Sequence, residues 1–195
     1  PLFNFQLGYG YGEIQDYKKS IKFYKISIRL DHNYKHMVFN NIGSSYAKIQ
    51  KYKISNRYFF KALKNNDNNK IIINNIFSNY IGLRDEENAS LYFEKARKLD
   101  QNYTEFIYNK AEYFILIGKI SEAIQILEEN KKKLRFLIRL TKIYFTIGRN
   151  KEGQLLFDSA KESFLSISSG INFLGMRLLY KGDFTNGWKY YDQGA

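Results

Sequence analysis

The sequence predicts an all-α fold, a right-handed α-solenoid of about six helix–turn–helix pairs. Three observations lead to this prediction. A similar segment returns every 30 to 35 residues along the whole chain, which is the signature of a helical repeat array. The chain has one proline in 195 residues, as expected of nearly continuous helix, because proline breaks helix interiors. Small and large apolar residues recur at spacings of three and four, which keep each set on one helical face.

The period is clearest at one large position in the first helix of each copy, which we call the aligned position. Its occupants are Tyr11, Tyr46, Tyr80, Phe114, Tyr144 and Leu178. We therefore predict a single array over residues 1–195, with copies at about 1–35, 36–69, 70–103, 104–133, 134–167 and 168–195. Both ends fall inside a repeat, so we expect the chain to be a segment of a longer protein.

Each copy places small residues on both helices and a large residue one turn away. In the second copy these residues are Gly43, Ser55 and Phe59. A helix pair this short cannot bury its apolar face alone, so we expect neighbouring pairs to stack on one another. Glycines between the two helices of a copy predict a left-handed end to the first helix. Gly10 and Gly12 lie inside the first helix of the chain and each costs about 1 kcal/mol relative to alanine, so we expect this helix to fray.

Composition narrows the function classes. The chain has no cysteine, which excludes a disulfide framework and thiolate chemistry and favours a reducing compartment, so we expect a cytoplasmic protein. No apolar run approaches the roughly 20 residues of a membrane span, so we expect no membrane contact. The net charge is +12, but residues 70–133 carry equal numbers of acidic and basic side chains, so the basic charge forms no continuous stripe. Nucleic-acid binding is therefore the least favoured function class.

This small-and-large pattern resembles the tetratricopeptide repeat family, and the resemblance covers essentially the whole chain. The fourth copy is four residues short, and the proline that the family places after each second helix is replaced by His32, Asp67 and Gln101. The resemblance implies a scaffold that binds a protein or an extended peptide on the concave surface, which the first helices line. We expect no catalytic centre in this segment, no cofactor and no metal.

Amide side chains stand five residues before the aligned position in four copies. They are Gln6, Asn41, Asn75 and Asn109. Such an amide offers one acceptor and two donors, so amides stacked at one repeat spacing can hold the backbone of an extended peptide whatever its sequence. The arrangement resembles the asparagine ladder of the O-linked N-acetylglucosamine transferases. Asparagine is also common at this position in tetratricopeptide repeats generally, so a purely structural role stays open.

The fifth copy has a basic residue, Arg139, at the equivalent position, with Arg135 and Lys142 on the same helical face. Arginine binds carboxylates through two parallel hydrogen bonds. These residues resemble part of the carboxylate clamp of chaperone-binding tetratricopeptide domains. The three matching residues are Asn109, Arg135 and Arg139, and the other two places hold Asn74 and Ser78. The resemblance implies an acidic partner or a C-terminal carboxylate, and the alternative is a solvated basic face.

The last copy contains LLYKGDFTNGWKYYDQ, which resembles the final repeat of bacterial tetratricopeptide proteins that continue into a glycosyltransferase domain. The matching residues are Gly182, Asp183, Phe184, Gly187, Trp188 and Tyr191. The match weakens at Gln193, where the family has arginine. This resemblance gives a second hypothesis, a substrate-presenting arm of a glycosyltransferase. The alternative is an ordinary repeat with Trp188 in its core. Unfinished terminal repeats also predict apolar end faces that allow end-to-end self-association.

One further pattern could indicate a metal site. His32 and His36 are four residues apart, a spacing that binds metal when both side chains lie on one helical face. They fall at the junction of two copies, and the chain contains no other histidine or cysteine, so we expect a solvated turn.

Overall fold

A computed structural model of the chain describes residues 1–30, 35–64, 67–166 and 168–194. Every regular element in these ranges is a helix. The helices fall into two compact units, Pro1–Lys119 and Ile120–Ala195. Within the described residues, no helix is both long enough and apolar enough to cross a bilayer. His32 of the histidine pair lies outside the described residues.

The described part of the first unit contains seven helices, which alternate between first and second helices of the predicted copies. They are α1 (Leu2–Glu13), α2 (Tyr17–Leu30), α3 (Lys35–Lys48), α4 (Tyr52–Leu63), α5 (Lys70–Gly82), α6 (Glu86–Leu99) and α7 (Thr104–Leu116). Consecutive helices pack on each other, and α5 also contacts α3 and α7. The first helices α3, α5 and α7 therefore form a continuous layer.

In its described residues the second unit contains six helices. They are α8 (Ile120–Glu129), α9 (Leu134–Thr146), α10 (Asn150–Ser159), α11 (Lys161–Leu165), α12 (Ser168–Tyr180) and α13 (Phe184–Gly194). The pairs α9 with α10 and α12 with α13 match the fifth and sixth copies. The five-residue helix α11 has no counterpart in the predicted repeat. It buries Phe164, whose ring lies 5.1 Å from that of Phe157 and 6.1 Å from that of Phe173.

Close contact between the two helices of a pair depends on glycine in the first two copies. A Cβ atom built on Gly43 would lie 2.7 Å from the Phe59 ring, and one on Gly8 would lie 2.7 Å from the Tyr24 ring. No real Cβ atom approaches a ring so closely, so a larger residue would push the helices apart. The predicted pairing of a small residue with a large one is confirmed at both places.

The aligned position stacks on the second helix of its own copy. Three pairs repeat this contact with centroid separations of 5.2, 5.5 and 5.4 Å, and they are Tyr11 with Phe23, Tyr46 with Tyr58, and Tyr80 with Tyr92. Aromatic pairs at this separation contribute about 0.5 to 1.5 kcal/mol beyond their burial. These contacts explain why the aligned position keeps its ring in the first unit.

The backbone turn between the two helices of a pair is left-handed in every copy. The three glycines Gly118, Gly148 and Gly182 have φ between 77° and 83°, as predicted. The first three copies place Gln15, Gln50 and Arg84 in the same conformation, with φ of 62°, 59° and 55°. A left-handed residue with a Cβ is strained by roughly 1 to 2 kcal/mol, so these three turns carry a cost that the glycine turns avoid.

The backbone carbonyl of the aligned position also accepts a hydrogen bond from the turn that follows it. The amide of Lys51 donates to the Tyr46 carbonyl at 2.9 Å, and that of Asp85 donates to the Tyr80 carbonyl at 3.1 Å. The amides of Gln50 and Arg84 donate three residues back, to Ala47 and Ile81, which completes the Schellman arrangement of helix ends. The turn is therefore held by the backbone even where glycine is absent.

A buried polar network joins α3, α4 and α5. Nδ2 of Asn79 donates to Oδ1 of Asn56 at 2.6 Å and to Oγ of Ser55 at 2.8 Å. The Ser55 hydroxyl in turn donates to the Gly43 carbonyl at 2.7 Å. Buried polar groups destabilise a fold unless they are paired, and here each one has a partner, so the network fixes how these three helices meet.

Candidate peptide-binding surface

The four predicted ladder amides lie on the first helices α1, α3, α5 and α7, one per helix. Their exposure falls along the chain. Gln6 is exposed, Asn41 and Asn75 are half-buried, and Asn109 is buried. The structure therefore places all four amides on first helices, but it leaves only the first three at the surface.

Asn41 combines an internal contact with remaining capacity for a ligand. Its Nδ2 donates to the Tyr24 hydroxyl at 3.3 Å, and its Oδ1 accepts from Asn40 at 3.5 Å. Burial raises the pKa of Tyr24, and the bond from Asn41 opposes that shift. The contact orients the Asn41 amide on α3 by tying it to α2, and it uses only one of the two N–H donors that the amide carries.

Asn109 is bonded to Asn74, its neighbour in the predicted clamp. Nδ2 of Asn109 lies 3.2 Å from Oδ1 of Asn74 and 3.5 Å from the Asn74 carbonyl oxygen. Their exposures are 5% and 3%. The two amides therefore hold α7 against α5, and the bond occupies a donor of Asn109 and the side-chain oxygen of Asn74.

Asn75 and Ser78 lie beside this pair on α5 and are half-buried. They are three residues apart, so their side chains share a face of the helix. No hydrogen bond joins either side chain to another part of the chain that the structure describes. In chemical terms they present an amide and a hydroxyl, both able to donate and to accept.

The basic residues of the prediction belong to the second unit. Arg135 is exposed on α9, and Arg139 and Lys142 are half-buried on the same helix. Nζ of Lys142 lies 5.6 Å from the centroid of the Phe173 ring on α12. Arg135 and Arg139 are one helical turn apart, a spacing at which two guanidinium groups reach the same carboxylate-bearing segment.

The last-copy motif separates into internal and exposed residues. A Cβ on Gly187 would lie 2.7 Å from the Leu179 side chain, and Asp183 accepts from the backbone amide of Asn186 at 3.2 Å. Trp188, in contrast, is 55% exposed and meets Tyr191 edge to face at 5.8 Å between ring centroids. The interpretation of Trp188 as a core residue is therefore wrong. On α13, about half of Trp188 lies at the surface, and Phe184 on the same helix is 63% exposed.

Sequence reasoning missed the part that Tyr24 plays beside the ladder. The sequence carried a signal for this role. Tyr24 is the large residue that packs on Gly8, and its hydroxyl, at the far end of the ring, lies within reach of Asn41. Within the described residues no group of three or more His, Cys, Asp or Glu side chains could hold a metal ion.

No protein-family model matches the chain, and no curated protein matches it in sequence. Solved structures match in fold. A tetratricopeptide repeat protein from Parabacteroides merdae superposes with a TM-score of 0.79 at 12% identity, covering 98% of this chain and 76% of that one. A thermophilic tetratricopeptide repeat protein of Thermus thermophilus gives a TM-score of 0.71 at 12% identity, covering 83% of this chain and 90% of that one.

This chain has the tetratricopeptide repeat fold. The predicted all-α helical repeat solenoid is thereby confirmed. A third structure of similar fold is the Rap conjugation gene regulator of plasmid pLS20, solved in complex with the Phr* peptide. It superposes with a TM-score of 0.67 at 15% identity, covering 98% of this chain and 72% of that one.

Proposed function

We propose that this tetratricopeptide chain is a scaffold that binds an extended segment of a partner protein on the first helices of residues 1–119. The observation that carries the proposal is the set of surface amides Gln6, Asn41 and Asn75, which occur once per copy. The neighbour solved with the Phr* peptide supports it, because a chain of similar fold binds a peptide.

The amides act on the partner's backbone. An amide can accept from a peptide N–H and donate to the next carbonyl, so each repeat holds one short stretch of extended chain. Ser78 adds a hydroxyl next to Asn75. Asn74 and Asn109 take a different part in this proposal, since their mutual bond fixes α5 against α7 and so sets the position of Asn75.

The proposal is tested by selecting binders from a displayed library of random peptides and measuring their affinity by fluorescence anisotropy. Asn75→Leu removes the amide and keeps the side chain's volume, and we expect a loss of about 1 to 3 kcal/mol from two hydrogen bonds. Asn150→Leu is the matched control, because Asn150 is exposed and lies outside the first helices. N-methylation of single backbone amides in the selected peptide should weaken binding at the positions that face Asn41 or Asn75. Equal affinity of both variants would contradict the proposal.

We further infer that Arg135, Arg139 and Lys142 on α9 bind carboxylates of the partner, either acidic side chains or a C-terminus. Their shared face and the two-pronged geometry of arginine support this. Arg139→Glu should abolish binding of peptides that end in acidic residues and spare neutral peptides. Unchanged binding of the acidic peptides would leave α9 as a solvated basic face.

A second candidate is the substrate-presenting arm of a glycosyltransferase. The exposure of Phe184 and Trp188 in the last-copy motif supports it, because these rings have the character of an interface rather than of a core. Mass spectrometry of the natural protein, together with its reading frame, tests this candidate. A product several hundred residues longer that carries a glycosyltransferase domain would favour it, and a product only one or two helices longer would exclude it.

A further inference from the structure

The second helices α4 and α6 border a groove that lies apart from the ladder amides. Its volume is about 530 Å³, with Ile73 of α5 contributing to its floor. Pockets of roughly 300 to 1,000 Å³ hold small ligands or single anchoring side chains. The groove is therefore large enough for one aromatic or branched side chain together with part of its backbone.

The floor of the groove is apolar. Leu63, Ile73 and Tyr92 are at most 8% exposed. Phe60 forms one wall, is 43% exposed, and has its ring 6.4 Å from that of Tyr92. An apolar side chain placed there would cover the exposed part of Phe60 and gain contact with the recessed floor.

A lysine occupies the position equivalent to Phe60 one repeat earlier. Lys25 of α2 stands where α4 has Phe60, and its Nζ donates to the Tyr46 hydroxyl at 3.1 Å. That bond raises the pKa of Lys25 against the opposing effect of burial, and the nearby Tyr58 of α4 adds to the rise. Phe60 has no such donor, and no hydrogen bond joins α4 to α6 in the described part of the chain. The groove between α4 and α6 therefore has no equivalent of the Lys25 bond.

The rim of the groove is basic. Lys64, Lys95 and Lys98 line it and are exposed, and Asp67 is the one acidic residue among its described lining. Nζ of Lys95 lies 4.7 Å above the centroid of the Tyr92 ring. None of the three lysines forms an ion pair with another residue that the structure describes. A positive rim around an apolar floor is complementary to an apolar side chain flanked by carboxylates.

We propose that this groove docks an acidic segment of a partner protein, which inserts one aromatic or large aliphatic side chain between Phe60 and Tyr92. Its flanking carboxylates meet Lys64, Lys95 and Lys98. The recessed floor disfavours a membrane surface, because apolar side chains that enter a bilayer must protrude. A nucleobase fits the floor less well, because Leu63 and Ile73 offer no hydrogen-bonding group to its edge.

A short peptide tests this directly. The probe is an acetylated, fluorescein-labelled peptide with one phenylalanine between two pairs of glutamates, titrated at low salt and followed by anisotropy. Lys64→Glu with Lys98→Glu should weaken its binding about tenfold or more. Lys51→Glu with Lys53→Glu is the control, since it makes the same charge change with exposed lysines at the start of α4 that do not line the groove, and it should alter affinity by less than about twofold. Helix content by circular dichroism should be equal in all three proteins.

The apolar contribution is tested with the same peptide carrying serine in place of phenylalanine, which should bind about tenfold or more weakly. Phe60→Ser should reduce the difference in affinity between the phenylalanine and the serine peptide. Equal weakening by the two charge-reversed pairs, equal affinity for the two peptides, or absence of binding would overturn the proposal. Tighter binding of a single-stranded oligonucleotide, lost in the Lys64 and Lys98 variant, would overturn it in favour of nucleic acid. Asn75→Leu should leave the probe's affinity unchanged, which separates this groove from the proposed ladder.

Discussion

Nδ2 of Asn109 donates to Oδ1 of Asn74 over 3.2 Å, and this bond joins α7 to α5 in a buried position. Two residues expected at a binding surface therefore bond to each other inside the first unit. An amide so placed contributes to stability, and in the proposed function it acts through the position of its neighbours.

Asn109→Ala should lower the free energy of unfolding by about 1 to 3 kcal/mol, because it leaves the Asn74 oxygen buried without its donor. Replacing both residues by leucine should recover most of this loss, since a pair of apolar side chains leaves no polar group unpaired. Urea denaturation followed by circular dichroism measures both effects. Equal stability of Asn109→Ala and the natural protein would contradict the structural role of this bond.

Gly43→Ala should destabilise the first unit by about 1 to 3 kcal/mol, because the added methyl group meets the Phe59 ring at 2.7 Å. Gly10→Ala is the matched control. Nothing lies within 4 Å of a Cβ at Gly10, so this change should stabilise α1 by about 0.5 to 1 kcal/mol and reduce the predicted fraying. Thermal unfolding of the two variants should shift in opposite directions, and a shift in the same direction would contradict the packing argument.

Arg84→Gly should raise the free energy of unfolding by up to about 1 kcal/mol, because it relieves a left-handed residue whose side chain is exposed. Gly182→Ala introduces a Cβ atom at the equivalent left-handed position of the last copy and should lower the free energy of unfolding by about 1 to 2 kcal/mol. Chemical denaturation of each variant tests the pair. A loss of stability in Arg84→Gly would show that the arginine side chain makes a contribution larger than the strain of its backbone.

Tyr144 should make the second unit sensitive to alkaline pH. Burial, together with its 2.6 Å bond to Glu128, raises the pKa of Tyr144 to about 12 from an ordinary 10.0. The unfolded chain releases this proton first, so the associated stability is complete below pH 10 and is lost as the pH rises toward 12. The stability difference between the natural protein and Tyr144→Phe should shrink over that interval. A constant difference would contradict the raised pKa.

Glu128 should make the stability of the second unit sensitive to acidic pH. Burial raises its pKa, but bonds from Lys131 and Tyr144 outweigh that effect, so the pKa of Glu128 lies below its ordinary 4.5. Its contribution to stability is present above that value and is lost as the pH falls through the folded-state pKa. Acid titration of stability in Glu128→Gln should lack this loss, and an unchanged acid profile would contradict it.

The helix pairs could be predicted because the aligned position has two physical roles that leave a mark on the sequence. Tyr46 and Tyr80 stack on the following helix, and their carbonyls accept the hydrogen bonds of the turn. The short helix α11 could not be predicted from the same pattern. Ala160 is small, like Ala62 and Ala96, which lie buried within helices. Side-chain size alone does not reveal that the chain turns at Ala160, where φ is −134°.

The sequence pattern could place the amides on the first helices, but it could not tell which of them are buried. Asn74 and Asn75 are adjacent and point about 100° apart around one helix. The sequence pattern places both near the first-helix layer, but only the docking of α7 decides that Asn74 is buried and Asn75 is not. Asn109 aligns with Asn75 and nevertheless lies in the interior, because its own neighbour is the Asn74 amide.

The half-exposed indole of Trp188 determines what the intrinsic fluorescence of this protein measures. It is the one tryptophan in the sequence and it lies on α13. Its emission will be close to that of indole in water and open to iodide quenching, and it will change when α13 leaves Tyr191. Residues 1–119 contain no tryptophan, so a fluorescence denaturation curve records the unfolding around α13 and not that of the first unit. Moving the indole to Phe93, by Trp188→Phe with Phe93→Trp, would turn the same measurement into a record of the first unit.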